Sequence, residues 1–339
     1  MEIKVQTVTV RTKRAFTISH SSSDAFERVI LSVDEAGVTG RGEAAPTTYY
    51  RQSAESAAEA LRGIRIEDPW DIEGTLRLNG DLPPASKAAL DAALHDLAAR
   101  RLVTPPGNPL SIPLYKMLGL ARPTPVSAYT LGIADRETTL ADAERLSAFP
   151  ILKMKVGGET DIETVRAVAE LSDAAIWVDA NEAFSPEEAP AVVRELVGMG
   201  VSMIEQPVPA AEGPQALRAA TEAASPVPVI ADESALTAKD VPALAGCVGG
   251  VNVKLAKCGG IRGALEMVHT ARAHGMSVML GCMVETSLGI AAAAQISGLF
   301  DLIDLDGAML LADDPFRGLA YENGRIHVPE TPGLGVAPR

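Results

Sequence analysis

Histidine is scarce: five residues in 339, His20, His95, His269, His274 and His327, with no two at metal-ligand spacing. That scarcity excludes HExxH zinc chemistry and argues against a His-centred nucleophile triad, so any catalysis falls to carboxylates and lysines. Aromatic residues make up only 4%, and acidic residues outnumber basic ones 44 to 30, a formal net charge of −14. Nucleic-acid partners need cationic density and usually stacking surfaces, so they are not expected. Small ligands and metal cations remain open. The three cysteines, Cys247, Cys258 and Cys282, sit in apolar runs without CxxC spacing, which fits a reduced, cytoplasmic setting. The N-terminus, MEIKVQTVTV, alternates like a strand instead of showing an apolar export segment, and no run of 18 apolar residues occurs. No membrane partner is expected.

What is present is a large stock of core-forming residues, 47% hydrophobic, with 22% charged residues of both signs interspersed. The length suits a large α/β barrel or two domains. The first 120 residues read as an α+β unit: strand alternation at 2–12 and 26–33, then helical patterning at 52–64 and 84–101. Gly40-Arg41-Gly42 has the look of a dinucleotide loop, but Pro46 follows where a helix should open.

From about residue 125 the pattern changes. Short apolar runs recur, each closing on a polar or small residue: VSAYTL, ILKMKV, AIWVDA, SMIEQP, PVIADES, GVNVKL, SVMLGC and DLIDLDG. The middles of the last seven lie 22 to 27 residues apart, the length of one βα unit. Amphipathic stretches between them, several closing at Gly, complete the unit. This predicts a (β/α)8-type barrel, with an open doubly wound sheet as the alternative. The tail ETPGLGVAPR reads as non-regular.

A barrel's active site lies at the C-terminal ends of its strands, and here those ends are charged. The second strand ends in Lys153 and Lys155, the third in Asp179, the fourth in Glu205, the fifth in Asp232, the sixth in Lys254 and the eighth in Asp304 and Asp306. Singly, such carboxylates read as caps or turns before the next helix and such lysines as solvated. Together they form a constellation. Asp179, Glu205 and Asp232 come from neighbouring strands and converge; three anionic oxygens without histidine or cysteine suit Mg²⁺ over Zn²⁺. Lys155 and Lys254 fall half the circumference apart and face each other across the metal. Two opposed bases can remove a proton from one side and return it on the other, which is racemisation or epimerisation next to a carboxylate. Lys153 and Lys155 point the same way about 6.6 Å apart. Their repulsion, roughly 2.5 kcal/mol, pulls one towards neutrality. Asp304 and Asp306 share a strand face across the mouth, where they would hold an ammonium several bonds from the substrate carboxylate, as in a dipeptide.

These motifs, KMK at 153–155, VDANE at Asp179, EQP at Glu205, ADES at Asp232, NVKLAKCGGI at Lys254, GCMVETSLGI at 281–290 and DLDG at Asp304, resemble the enolase superfamily. The likeness is to its muconate-lactonising-enzyme subgroup and, within that, to dipeptide epimerases of the L-Ala-D/L-Glu type. It implies an α+β capping domain over 1–120, an enolase-like modified TIM barrel over 121–320 and a segment over 321–339 returning to the capping domain. It implies one Mg²⁺ on Asp179, Glu205 and Asp232, with Lys155 and Lys254 as bases and Lys153 as a tuner. Asp304 and Asp306 would bind the dipeptide amino group, with Thr130 and Met283 completing the substrate contacts. Such sites pair a lysine base with a metal-stabilised enediolate. Relatives that take Ala-Glu carry a basic residue in the capping loop near position 20; here that loop reads His20-Ser21-Ser22-Ser23-Asp24, and Arg51 in TTYYRQS is the expected substitute. The resemblance thus implies a cytoplasmic, Mg²⁺-dependent dipeptide epimerase in murein-peptide recycling, most simply acting on L-Ala-D/L-Glu. Other L-Ala-X dipeptides are the nearest alternative, followed by N-succinylamino acid racemase, o-succinylbenzoate synthase or muconate cycloisomerase activity. A Schiff-base lyase using Lys254 and a non-catalytic peptide-binding barrel are the rivals from other classes. The oligomeric state, including a homo-oligomer, is left open.

Overall fold

Residues 2–44 form three antiparallel strands, β1 (Glu2–Ile18), β2 (Ser21–Glu35) and β3 (Val38–Ala44), in the computed structural model, which describes residues 1–19, 21–102 and 112–339. The sheet is longer than the alternation suggested. After a register shift between Arg11 and Phe16, pairing resumes with Phe16 opposite Ser23 and Ile18 opposite Ser21, so the capping loop expected near position 20 is the end of a hairpin. His20 at that tip lies outside the described residues. The helix Ala54–Arg62 starts at Ser53, whose side chain accepts from Ser56 N in a capping box, and ends against Gly63. Helix Pro84–Arg101 lies across the sheet, and Val29, Leu31 and Val33 of β2 share a core with Leu90, Leu94 and Leu97.

Gly40 and Gly42 belong to β3, not to a nucleotide loop. They let that helix touch the strand: a methyl group on either would overlap the carbonyl oxygens of Ala93 and Ala89. Gly42→Ala should therefore cost about 1–3 kcal/mol through overpacking, measured as a lower melting temperature, whereas Gly37→Ala, with open space around its Cβ but a positive φ, reports backbone strain alone.

The eight apolar runs become eight parallel strands: β4 (Tyr129–Leu131), β5 (Ile151–Lys155), β6 (Ala175–Asp179), β7 (Met203–Glu205), β8 (Val229–Ala231), β9 (Gly250–Lys254), β10 (Ser277–Gly281) and β11 (Leu302–Asp304). Ala128 N donates to Ile303 O at 3.0 Å, joining the first strand to the last and closing the barrel. Helices such as Glu159–Leu171, Ala189–Gly198 and Ile261–Ala273 cover the outside. One departure concerns the end of the barrel. No helix follows β11 among the described residues; the chain turns at once over 307–310 and runs into short antiparallel pairs, Ala320–Glu322 with Arg325–His327 and Phe316–Arg317 with Ala337–Pro338. The tail is therefore partly ordered by pairing. It also touches the first 120 residues, with Leu334 N bonded to Asp96 Oδ1 and Arg100 Nη2 to Val336 O.

The period of two along each strand builds the barrel interior in layers. Ala128, Trp177, Met203, Ile230 and Met279 form a buried apolar plug at the N-terminal end, with Ile151 and Leu302 packed against it. Two residues further along the same strands come Thr130, Lys153, Asp179, Glu205, Asp232, Gly281 and Asp304. The plug seals the floor beneath a charged layer. No helix among the described residues is long and apolar enough to cross a membrane, and all three cysteines are free.

Candidate active site

Asp179 and Glu205 are register partners at the ends of β6 and β7, and Asp232 stands one residue beyond β8. All three are buried. Gln206, whose side-chain oxygen accepts from Asp232 N at 2.9 Å and Ser234 N at 3.2 Å, ties the β7 turn to the β8 turn. It was missed from sequence, although the Gln of EQP marks a polar residue just past a buried strand.

Lysine ammoniums are interleaved with these acids. Lys153 Nζ lies 3.1 Å from Asp179 Oδ2, 2.6 Å from Glu205 Oε2 and 2.6 Å from Asp304 Oδ2. Lys155 Nζ lies 2.6 Å from Asp179 Oδ2, and Lys254 Nζ 2.7 Å from Asp232 Oδ2. The strand order puts β5 and β9 four places apart in a ring of eight, so Lys155 and Lys254 stand on opposite sides of the acid arc. Lys257, which was not singled out, joins Asp232 Oδ1 and donates to Asp232 O at 2.7 Å, Asn252 O at 3.0 Å and Ala235 O at 3.1 Å. The short helical turn Leu255–Cys258 folds it back under the site, a placement the KLAK spacing could have suggested.

Of the two lysines expected to repel each other, Lys153 is held charged: burial opposes its charge, and Asp304, Glu205 and Asp179 outweigh burial. Lys254 is raised likewise, with Asp232 and Glu205 overcoming burial. Among the acids, burial also opposes ionisation, but Lys155 and Lys153 hold Asp179 well below the usual range, and Lys254 and Lys257 do so for Asp232. Glu205 goes the other way. Burial and the charge of Asp179 push it up to about 7. Glu233, adjacent to Asp232 and hydrogen-bonded by Asn181 Nδ2 at 3.2 Å, is pushed up to about 8 by burial and by Asp232.

Asp304 ends β11 and Asp306 lies two residues beyond the strand, both lining the same cavity. Asp306 Oδ2 accepts from Thr130 N at 2.6 Å, and burial with the nearby Asp304 pushes Asp306 up to about 7. Asp304 stands four places round the ring from β7 with Glu205, and Lys153 reaches across to bond it. A cavity of about 640 Å³ opens over the layer and takes in Lys153, Lys155, Lys254, Asp304, Asp306, Thr130 and Met283. Its roof is the hairpin tip and the turn after β3, through Phe16, Ile18, Ser21, Ser23, Tyr49 and Tyr50. Arg51 is not part of it. The residue adopts a left-handed φ of 56° that ends the Thr48–Tyr50 turn, its N–H bonds Thr48 O, and its side chain is exposed, so the expected cationic substitute lies outside the cavity.

Residues 2–111 match the N-terminal domain of mandelate racemase / muconate lactonizing enzymes, and residues 138–339 match the enolase C-terminal domain-like family. The chain belongs to the enolase superfamily. Within it, the chain is 38% identical to the L-Ala-D/L-Glu epimerase of Bacteroides thetaiotaomicron over 96% of its own length and 85% of that protein's. Among solved structures it matches the dipeptide epimerase of Enterococcus faecalis complexed with Mg and L-Leu-L-Tyr, with a TM-score of 0.91 and 29% identity over 99% of this chain and 98% of that one. The substrate-liganded L-Ala-D/L-Glu epimerase of Bacillus subtilis matches at TM-score 0.91 and 30% identity, again over 99% and 98%.

This superfamily uses a divalent metal, and the donors here fit one. Among the described residues no three side chains stand ready-made around an ion, because the ammoniums lie between the acids. The donor set is nevertheless all oxygen, as a hard cation requires. Glu205 Oε2 also has no hydrogen-bond partner, although the Lys153 ammonium is near, and Glu233 Oε2 has none either. Two buried carboxyls pushed up by neighbouring acids are what a divalent charge would relieve.

A second buried carboxyl cluster joins the two halves of the chain. Glu43 of β3 accepts from Thr286 N at 3.0 Å, Gly289 N at 3.2 Å and the Thr286 hydroxyl at the N-terminus of helix Ser287–Ile296. Burial and Glu285 push Glu43 up to about 8, against an ordinary value of 4.5. A carboxyl raised in the folded state contributes fully below its unfolded value, and that contribution is lost as pH rises through the folded value. Glu43→Gln should therefore flatten the fall in melting temperature between pH 5 and pH 8; an unchanged slope would count against this assignment.

Proposed function

We propose that the chain is a metal-dependent dipeptide epimerase that inverts the α-carbon of the second residue, with L-Ala-D/L-Glu as its leading substrate. The observation that supports this most is the pair of lysines, Lys155 and Lys254, on opposite sides of one buried carboxylate arc. In this reading Asp179, Glu205 and Asp232 hold Mg²⁺, with Glu233 beside them. The ion, when bound, supplies positive charge to the substrate carboxylate and so acidifies the adjacent α-proton.

The residues of the chain do the rest. Lys155 and Lys254 each face one side of the α-carbon; one takes the proton into its Nζ lone pair and the other, as an ammonium, donates a proton to the opposite face. Which does which depends on the epimer that enters. Lys153, held charged, places positive charge over Glu205 and Asp304 and positions the substrate carboxylate. Asp304 and Asp306 receive the dipeptide ammonium, whose charge would draw Asp306 into the ionised form. The apolar plug below and the capping hairpin above exclude water from the proton transfers. The free thiols agree with a reduced cytoplasmic setting.

Solvent-deuterium uptake at the α-carbon of L-Ala-L-Glu, followed by mass spectrometry, tests the reading. Uptake should vanish in EDTA and return with Mg²⁺, and saturating Mg²⁺ should raise the melting temperature, since a ligand at about 100 times its Kd contributes about 2.7 kcal/mol. Activity that persists in EDTA together with borohydride trapping of Lys254 would favour a Schiff-base lyase instead.

A further inference from the structure

Four cationic side chains line the cavity, and three of them are the lysines already matched to carboxylates. The fourth is Arg28 of β2. Its alternation partners Val29 and Leu31 point into the core under helix Pro84–Arg101, which turns Arg28 towards the barrel. It is only 4% exposed, yet no carboxylate lies within ion-pair distance of it among the described residues. Nε donates to Val284 O at 2.6 Å and Nη1 to Glu27 O at 2.6 Å, and the guanidinium lies 5.4 Å from the centre of the Phe26 ring. Nη2 has no hydrogen-bond partner among the described residues, and Arg28 lines the cavity.

A guanidinium does not shed its proton, and burying one without an anion is costly. Glu43 and Glu285 are the buried acids whose charge reaches Arg28, but burial raises both of them and so weakens them as counter-anions. Glu27 lines the same part of the cavity with an exposed side chain. The two carbonyl bonds fix the fork, leaving the two Nη2 N–H groups for a cavity wall built from Phe16, Phe26 and Val284. Those walls suit the methylenes of a short chain that ends in an anion.

We infer that Arg28 determines specificity by receiving an anionic side chain on the second residue of the dipeptide. This rests on the epimerase reading above. It also replaces Arg51 as the source of positive charge, and it puts that charge on a strand locked to the barrel loop instead of on the capping tip.

The test compares L-Ala-L-Glu with its uncharged isostere L-Ala-L-Gln, and with L-Ala-L-Leu, by α-deuterium exchange with the Mg²⁺-loaded enzyme. The wild type should favour Glu over Gln by about 10- to 100-fold in kcat/KM, a preference that declines with added salt. In Arg28→Met the Glu/Gln ratio should fall towards one, and Arg28→Lys should restore part of it. Should Arg28→Met fail to fold, the wild-type ratio and its salt dependence decide alone. A wild type that prefers Gln or Leu, or an Arg28→Met enzyme that keeps the Glu/Gln ratio, overturns the inference while leaving the epimerase intact. No exchange with any dipeptide overturns the epimerase reading, and this inference with it.

Discussion

Lys155→Ala and Lys254→Ala should each lower epimerisation of L-Ala-L-Glu by about 10³-fold or more while leaving a folded protein, and each should spare α-proton exchange of only one epimer. General acid–base groups are typically worth 10²–10⁴-fold, and losing either lysine removes a whole face of the reaction. Folding survives because the acids keep a second cation. Asp179 retains Lys153 at 3.1 Å when Lys155 is gone, and Asp232 retains the buried Lys257 when Lys254 is gone. Measurement of exchange for the L,L and L,D epimers separately, next to melting temperature, checks both halves. Two-way epimerisation at wild-type rate in either variant would sink the two-base assignment.

Lys153→Met should have the opposite profile, a loss of stability before any question of rate. Lys153 Nζ is shared by Asp179, Glu205 and Asp304, and the side chain is essentially buried at 1% exposure. Removing one partner of a buried charge cluster typically costs about 3–5 kcal/mol, because the remaining charges are left uncompensated. Asp179 keeps Lys155, but Glu205 and Asp304 have no other ammonium within ion-pair distance among the described residues. Added Mg²⁺ should then raise the melting temperature of Lys153→Met more than that of the wild type, since a divalent charge on Asp179 and Glu205 replaces what the lysine supplied. A melting temperature within a degree of wild type without Mg²⁺ would show that the shared ammonium is dispensable.

Much of this was legible in the chain because strands report themselves locally. Eight apolar runs at near-constant spacing are enough to specify eight strands, and six of them then end at or just before a charged residue. The closure of the barrel was less visible: it depends on the Ala128–Ile303 bond between segments far apart in sequence. Gly40 and Gly42 looked like a ligand loop locally, and only the helix packed on them shows their role. Lys257 and Gln206 were overlooked because neither ends a strand; turns place them in the site.

The charge states and the specificity contacts were decided in three dimensions. Sequence adjacency made the two lysines of KMK each other's nearest charges, whereas in the fold Lys153 is surrounded by carboxylates from three other strands, and opposite charges at about 3 Å outweigh a like charge about twice as far away. Arg51 was the cation expected from the sequence, and Arg28 was not singled out. A left-handed turn residue exposes one, and strand alternation against the barrel buries the other. The sequence by itself determined the barrel and the acid arc, because these follow from local pattern and residue type. Only the tertiary structure decided which cation meets which anion, because Coulomb energy depends on distance through space and not along the chain.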